Sequence, residues 1–275
     1  MGLIAPPTYV AFPTLEPLRF GLYSIANSVD PAGRWEMGVE YEPIAGERAD
    51  LRAHECVTDY STEVELRAGE TTVEGIPFVV VGSYQCGAQS RSLDEAEERA
   101  VLHLTAGEER AVEFAIATGV MGNEPTFQGA VDLTPTPGTA VGITEAYSLI
   151  EAAQALGTGS VGAIHSPRAL AAPTDAIGLV DRYGQHLETR IGTKVAFGGG
   201  YAAANVSPDG EEPDAGEFWI YGTGLPTIRR GDIFIQPDED SIIDQRNNQV
   251  AILAQRTVLV TFSEPTVAVL VDPSI

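Results

Sequence analysis

From Ser92 to Gly119, apolar or small residues fall at positions 93, 96, 100, 104, 107, 111 and 115. Steps of three and four place them on one face of an α-helix. Ser92 with Glu95 three residues on forms a capping box, and Asp94, Glu95, Glu97 and Glu98 put negative charge where the helix dipole favours it. Glu95 also stands four residues before Arg99 as a supporting pair, and Gly119 is the C-terminal stop. At about 1.5 Å per residue the helix would span about 40 Å. No other stretch predicts one as long. Gly107, beside Thr105 and Ala106, predicts a bend or irregular turn within 104–109.

Around this helix the pattern is strand and loop. Prolines at 6, 7, 13, 17, 31 and 43 forbid regular elements over residues 1–50, leaving an extended arm with scattered apolar side chains, among them Phe12, Leu22, Ile25 and Trp35. Only FGLYSIAN predicts a turn of helix there. Residues 57–85 read as a β-hairpin, with Val64 and Leu66 on one side, Glu63, Glu65 and Arg67 on the other, and a turn at Gly69. Its Phe78–Val81 run is apolar enough for burial on both faces. After the helix, proline-rich 120–142 is a connector. Thr144–Leu156 predicts a second helix with Thr144 as N-cap and Gly157 as C′; VGAIH at 161–165 predicts a strand. A brief helix opens with Pro167 at N1 and ends at Pro173. IGLVDRYGQHLETRIGTKVAFG reads as strand, turn, strand, and 198–216 as a polar loop. Two strands meet at a turn over Gly222–Pro226, an acidic loop begins at Asp238–Asp240, and NNQVAILAQRTVLVTFSEPTVAVLV closes the chain on a buried strand.

Composition narrows the classes. A hydrophobic content of 44% with mean hydropathy near zero describes a globular chain of 275 residues, long enough to bury a proper core. No apolar run approaches a membrane span, and the proline-broken N-terminus without a basic segment is no secretory signal. The 39 acids against 16 bases leave a net charge of −23, which excludes a basic footprint for specific nucleic-acid binding. Such charge suits mutual repulsion at high concentration, or a surface that lies beside nucleic acid without sticking.

Candidate chemistry is sparse. GTGSVG at 157–162 follows a helix and opens a strand, the reverse of a dinucleotide site. His54, His103, His165 and His186 lack ligand spacing, and His103 reads as a partly exposed structural histidine. Asp238, Glu239, Asp240 and Asp244 read as a solvated acidic loop without the frame of a calcium site. Cys56 and Cys86 bracket the hairpin, but its register sets Cys56 opposite position 82, so free thiols are expected. The sequence names no catalytic, cofactor-binding or metal residue, and points away from an enzyme.

The joint order of these parts resembles the major capsid protein of tailed phages, the Hong Kong 97 fold that encapsulins share. The likeness is best over Asn247–Val271, with Arg256 and Pro265, and in TEAYSLIEAAQALG, IHSPRAL, LETRIGTKVAFGGGY, WIYGTG and IRRGDIFI, which look like capsid proteins of actinobacterial phages. The resemblance implies an α+β fold: an N-terminal arm (1–50), an E-loop hairpin (51–91), a spine helix and peripheral domain (92–137), an axial domain (138–246) and closing strands of the peripheral domain (247–275). The spine helix would cover a sheet made by the Phe78–Val81 run and the C-terminal strands.

It implies a structural subunit that assembles with copies of itself, as pentamers and hexamers, into an icosahedral shell around double-stranded DNA. The shell belongs to the virion and is assembled in the host bacterial cytoplasm. Contact candidates between subunits are Glu63, Val64, Glu65, Leu66, Arg67, Phe12 and Trp35, with the arm docking under a neighbour. Scaffolding, portal and decoration proteins are the implied partners, with at most non-specific DNA contact and no membrane. The scaffold is expected as a separate protein, since no long segment precedes the arm. Some family members weld neighbours through an E-loop lysine; residues 57–85 hold none and Lys194 is the chain's only lysine, so a non-covalent shell is expected. The alternatives are an encapsulin-type compartment, a tail-tube or decoration protein, or an acidic hydrolase. Particles, copy number in the virion and gene neighbourhood separate them.

Overall fold

The computed structural model describes residues 16–30, 33–43, 72–87, 92–157, 159–236, 243–244 and 249–275. The hairpin's Gly69 turn, Cys56 and the Asp238–Asp240 loop lie outside them. Within the described part of the arm, helix α1 spans Leu22–Ile25, as FGLYSIAN predicts. Strand β1 (Asn27–Ser28), a 3₁₀ turn at Trp35–Met37 and β2 (Val39–Tyr41) follow. Beyond the undescribed stretch, β3 (Val73–Gly75) pairs antiparallel with β2, and β4 runs Phe78–Gly87.

Helix α2, Leu93–Thr118, has the expected caps: Ser92 Oγ accepts from the Glu95 N–H, Glu95 returns the bond, and Gly119 ends the helix at φ 64°. The expected irregular turn is absent; α2 is α-helical without interruption through 104–109. Nothing lies within 4 Å of where a Gly107 Cβ would stand, so no neighbour levers the helix there. Gly107→Ala is therefore expected to raise unfolding free energy by about 0.5–1 kcal/mol in urea titration.

Past β5 (Val131–Asp132), α3 spans Ile143–Gly157. It starts one residue before the expected cap: Ala146 N–H donates to Gly142 O, so Thr144 sits inside the first turn. Strand β6 (Ala163–Pro167) absorbs Pro167 rather than yielding it to a helix. A 3₁₀ turn then leads into α4, Ala171–Ala176, and Pro173 lies in its first turn, where a missing N–H costs nothing. The next stretch gives three strands, not two: β7 (Val180–Tyr183), β8 (His186–Thr189) and β9 (Lys194–Gly198). The start of the expected 198–216 loop is helix α5, Gly199–Ala204, with Gly200, Tyr201 and Ala204 buried. Its glycines let it nest on α2: a Gly200 Cβ would stand 2.5 Å from Glu113 Cβ. The chain ends through β10 (Phe218–Thr223), β11 (Thr227–Arg230), β12 (Phe234–Ile235), β13 (Ile243–Asp244), β14 (Gln249–Thr261) and β15 (Val267–Val271).

These strands make two large sheets. In the first, β14 is the long member, flanked by β4 along Gln249–Val258 and by β11, β12 and β13, with β1 outside β11. The second has the order β5-β15-β10-β6-β9-β8-β7. Besides the passage from β4 through α2 to β5, two short connections cross between them, β10 to β11 through Gly224–Pro226 and β14 to β15 through 262–266. They run side by side, Gly224 N–H donating to Ser263 O at 2.8 Å. The final strand therefore enters the second sheet, whereas β14 pairs with β4.

The second sheet is covered on both faces. Val267, Val269 and Val271 of β15, with Ile164, Val195 and Ile220, pack under α3. The alternate residues Ala268, Leu270, Ala163, Ala196 and Tyr221 face the core that α2 shares with β4 and β14. Among the described residues β4 is covered on one face only: Phe78 and Val80 are buried while Val79 and Val81 are about half exposed. That corrects the expectation of burial on both faces. Leu22, Ile25 and Trp35 are also buried within their own chain, where the arm was expected to dock under a neighbour.

Candidate functional site

The buried face of α2 keeps its four-residue step from Ala96 through Ala100 and Leu104, then reaches Glu108 and Val112 instead of Gly107 and Ala111. An acid thus occupies an apolar stripe. Glu108 is 2% exposed and Glu113 1%, and burial of a charge demands partners. Glu108 accepts from Tyr23 Oη at 2.8 Å and from Arg256 Nη1 at 2.5 Å. Arg230 Nη1 stands 3.5 Å away, its guanidinium over the Tyr23 ring at 4.8 Å. Glu109 accepts from the Tyr23 N–H at 2.8 Å. Glu113 accepts from the Leu22 N–H at 3.1 Å and the Gly200 N–H at 2.8 Å.

Three carboxylates on one helix therefore fasten four elements: α1, β11, β14 and α5. Gly21 makes the approach possible, since its Cβ would stand 2.5 Å from Glu109 Oε1 and 2.7 Å from Glu113 Oε1. Arg168 completes the surround, donating to Arg19 O and Phe197 O at 2.8 and 3.2 Å. Every partner is a fixed part of the fold, so the arrangement acts as a clamp. Among the described residues no group of three or more His, Cys, Asp or Glu is placed to hold a metal ion.

Burial pushes the Glu113 carboxyl from its ordinary 4.5 up to about 7, against the pull of its two backbone donors. Glu109 is raised too, first by burial. Beneath α2 lies a second buried titratable group. His165 Nε2 is 2.9 Å from Thr223 Oγ1 and Nδ1 is 2.9 Å from Tyr201 Oη. Thr223 spends its proton on Gly224 O, so Nε2–H donates and Nδ1 accepts from Tyr201. Phe127 lies against the imidazole at 4.9 Å, and burial lowers the His165 pKa from 6.5 to about 3.

The two groups pull stability in opposite directions with pH. A carboxyl raised to about 7 contributes stability at acid pH that is lost as pH rises through 7. A histidine lowered to about 3 contributes stability above 6.5 that is lost as pH falls. Their slopes cancel between about 6.5 and 4.5. Removing the carboxyl exposes the histidine slope: wild type is expected to gain on Glu113→Gln by about 1.4 kcal/mol per pH unit from about 7 down to 4.5. Urea midpoints of both proteins across that range check it, and a constant difference would contradict it.

Of the contact candidates, Phe12, Glu63, Val64, Glu65, Leu66 and Arg67 lie outside the described residues. Trp35 is 5% exposed inside its own subunit, beside Gly231. His103 is exposed, with Nδ1 2.8 Å from Ser83 O, and Cys86 is a partly buried free thiol. Sequence reasoning missed Tyr23, Glu108, Glu109, Glu113, Arg230 and Arg256. The available signal was Glu108 standing where the stripe 96, 100, 104 continues.

Two sheets joined by paired crossings, with one long capped helix pinned by buried acids to the first sheet and to α1 and α5, make an α+β fold of the Hong Kong 97 type. Solved structures share the fold over most of the chain. The capsid of a native GTA particle is similar with 13% identity and a TM-score of 0.55, over 95% of this chain and 92% of that one. A Cyanophage Pam1 capsid chain matches at 10% identity and TM-score 0.54, over 99% and 98%. A Mycobacterium phage Ogopogo chain matches at 14% and 0.55, over 94% of each. No family model and no curated protein matches the sequence.

Proposed function

We propose that this chain is a major capsid protein, the repeating subunit of an icosahedral shell that encloses the double-stranded DNA of a tailed phage. The observation that carries it is coverage: the likeness to assembled capsids takes in up to 99% of the chain, which supports a shell subunit. The role is structural rather than catalytic, which agrees with buried acids whose partners are all parts of the fold.

In this reading α2 is the spine helix, residues 57–85 the E-loop, and Glu63, Val64, Glu65, Leu66 and Arg67 the residues laid on a neighbour. The divisions are an arm to 50, an E-loop to 91, a peripheral part to 137, an axial part to 246 and closing strands. Copies associate as pentamers and hexamers in the host cytoplasm, with scaffolding and portal proteins and a decoration protein on the finished shell. A charge of −23 keeps contact with packaged DNA non-specific.

Negative-stain microscopy of the expressed protein, alone and with its neighbouring genes, is expected to show closed shells. Monomers or small oligomers under every condition would refute the assignment. Boiled particles are expected to run as a single band near 29.1 kDa. A ladder of multimers would overturn the non-covalent part alone.

A further inference from the structure

Between β4 and α2 a groove of about 560 Å³ opens at the surface. Phe78 and Val79 of β4 and Phe114 of α2 line it, together with Met121 just past the helix end. Val79, Val81, Val120 and Met121 are 49%, 52%, 58% and 61% exposed. Arg110 is the one charged residue among those described along its walls. Contiguous exposed apolar surface of this kind marks a place where something docks.

We propose that the groove seats the chain's own first fifteen residues, with Phe12 as the anchor. The chemistry matches. MGLIAPPTYVAFPTL carries Leu3, Ile4, Val10, Phe12 and Leu15 and no charged side chain, in a chain that is 20% charged. The tether matches as well. A Cβ at Gly199 would touch both Leu18 Cδ1 at 3.7 Å and Arg110 Cγ at 3.9 Å. Arg110 lines the groove, and so does Ala203 one turn along α5 from Gly199, a rise of about 6 Å. Phe12 is six residues from Leu18, a reach of up to about 20 Å.

The rest of the arm points the same way. Leu22, Ile25 and Trp35 are already seated on their own subunit. A tether this short gives an effective concentration that a separate copy in dilute solution does not match. Prolines at 6, 7 and 13 fix φ at three of the fifteen positions, so seating the segment costs less chain entropy. Phe12 then belongs to its own subunit's wall rather than to a contact between subunits. The inference does not depend on the capsid reading, since a single subunit shows it.

Full-length protein carrying benzoylphenylalanine in place of Phe12, irradiated in dilute solution, tests it. Crosslinks are expected to peptides holding residues 78–81 or 107–121, with the band remaining at 29.1 kDa. Met121→Glu, at an exposed groove wall, is expected to leave the melting temperature unchanged. It is expected to cut the yield at least about fivefold, because a charge there opposes apolar docking. Crosslinks mapping elsewhere, a band at twice the mass, or an undiminished yield in Met121→Glu would overturn the proposal.

Discussion

Glu108→Ala is expected to lower the unfolding free energy by about 3–5 kcal/mol, read as a shift in urea midpoint. The substitution strips the Arg256 guanidinium of its 2.5 Å partner and Tyr23 Oη of its acceptor, both on the buried side of α2. Arg256 Nε is already buried without a hydrogen-bond partner, so little is left to compensate. The loss is mainly the cost of an orphaned charge, not the net worth of the pair. Glu108→Met combined with Arg256→Met should therefore recover much of it. A single-variant cost under about 1 kcal/mol would mean that water reaches the clamp and that the acids are not what holds the arm.

Gly82→Ala is expected to cost about 2–3 kcal/mol, read as a shift in urea midpoint. A Cβ at Gly82 would lie 2.6 Å from both Ala100 O and Leu104 Cα, backbone atoms that cannot swing aside. The strand would have to lift off the helix. Set beside the gain expected from Gly107→Ala, this pair makes a controlled comparison. The same methyl meets open space at Gly107, where it adds helix propensity, and packed backbone at Gly82, where it must push the strand away. Equal effects at both sites would show that α2 and β4 are looser than they stand here.

The elements that were legible beforehand are those whose signal is local. The Ser92 and Glu95 box, the Gly119 stop and the β-branched closing strands each carry their information within a few residues, and each lies where the pattern puts it. What failed depended on distant contacts. Gly107 reads as a weak point from the helix alone, yet the close approaches are at Gly82 and Gly200, in segments 25 residues before and 93 after it. The 198–216 stretch is polar on average, which hid a buried turn of helix at its start. Glu108 was illegible for a related reason. A carboxylate on an apolar stripe makes sense only once Tyr23, Arg230 and Arg256, from both ends of the chain, converge on it.

The adjacent crossings at Gly224–Pro226 and 262–266 have a mechanical meaning. They join the two sheets as a strap of two plies, stitched where Gly224 meets Ser263. Tension entering through β14 passes to β15 along one ply, and the return through β11 to β10 shares it along the other. If one ply slackens, the second still holds, and the core that α2 shares with both sheets backs them up.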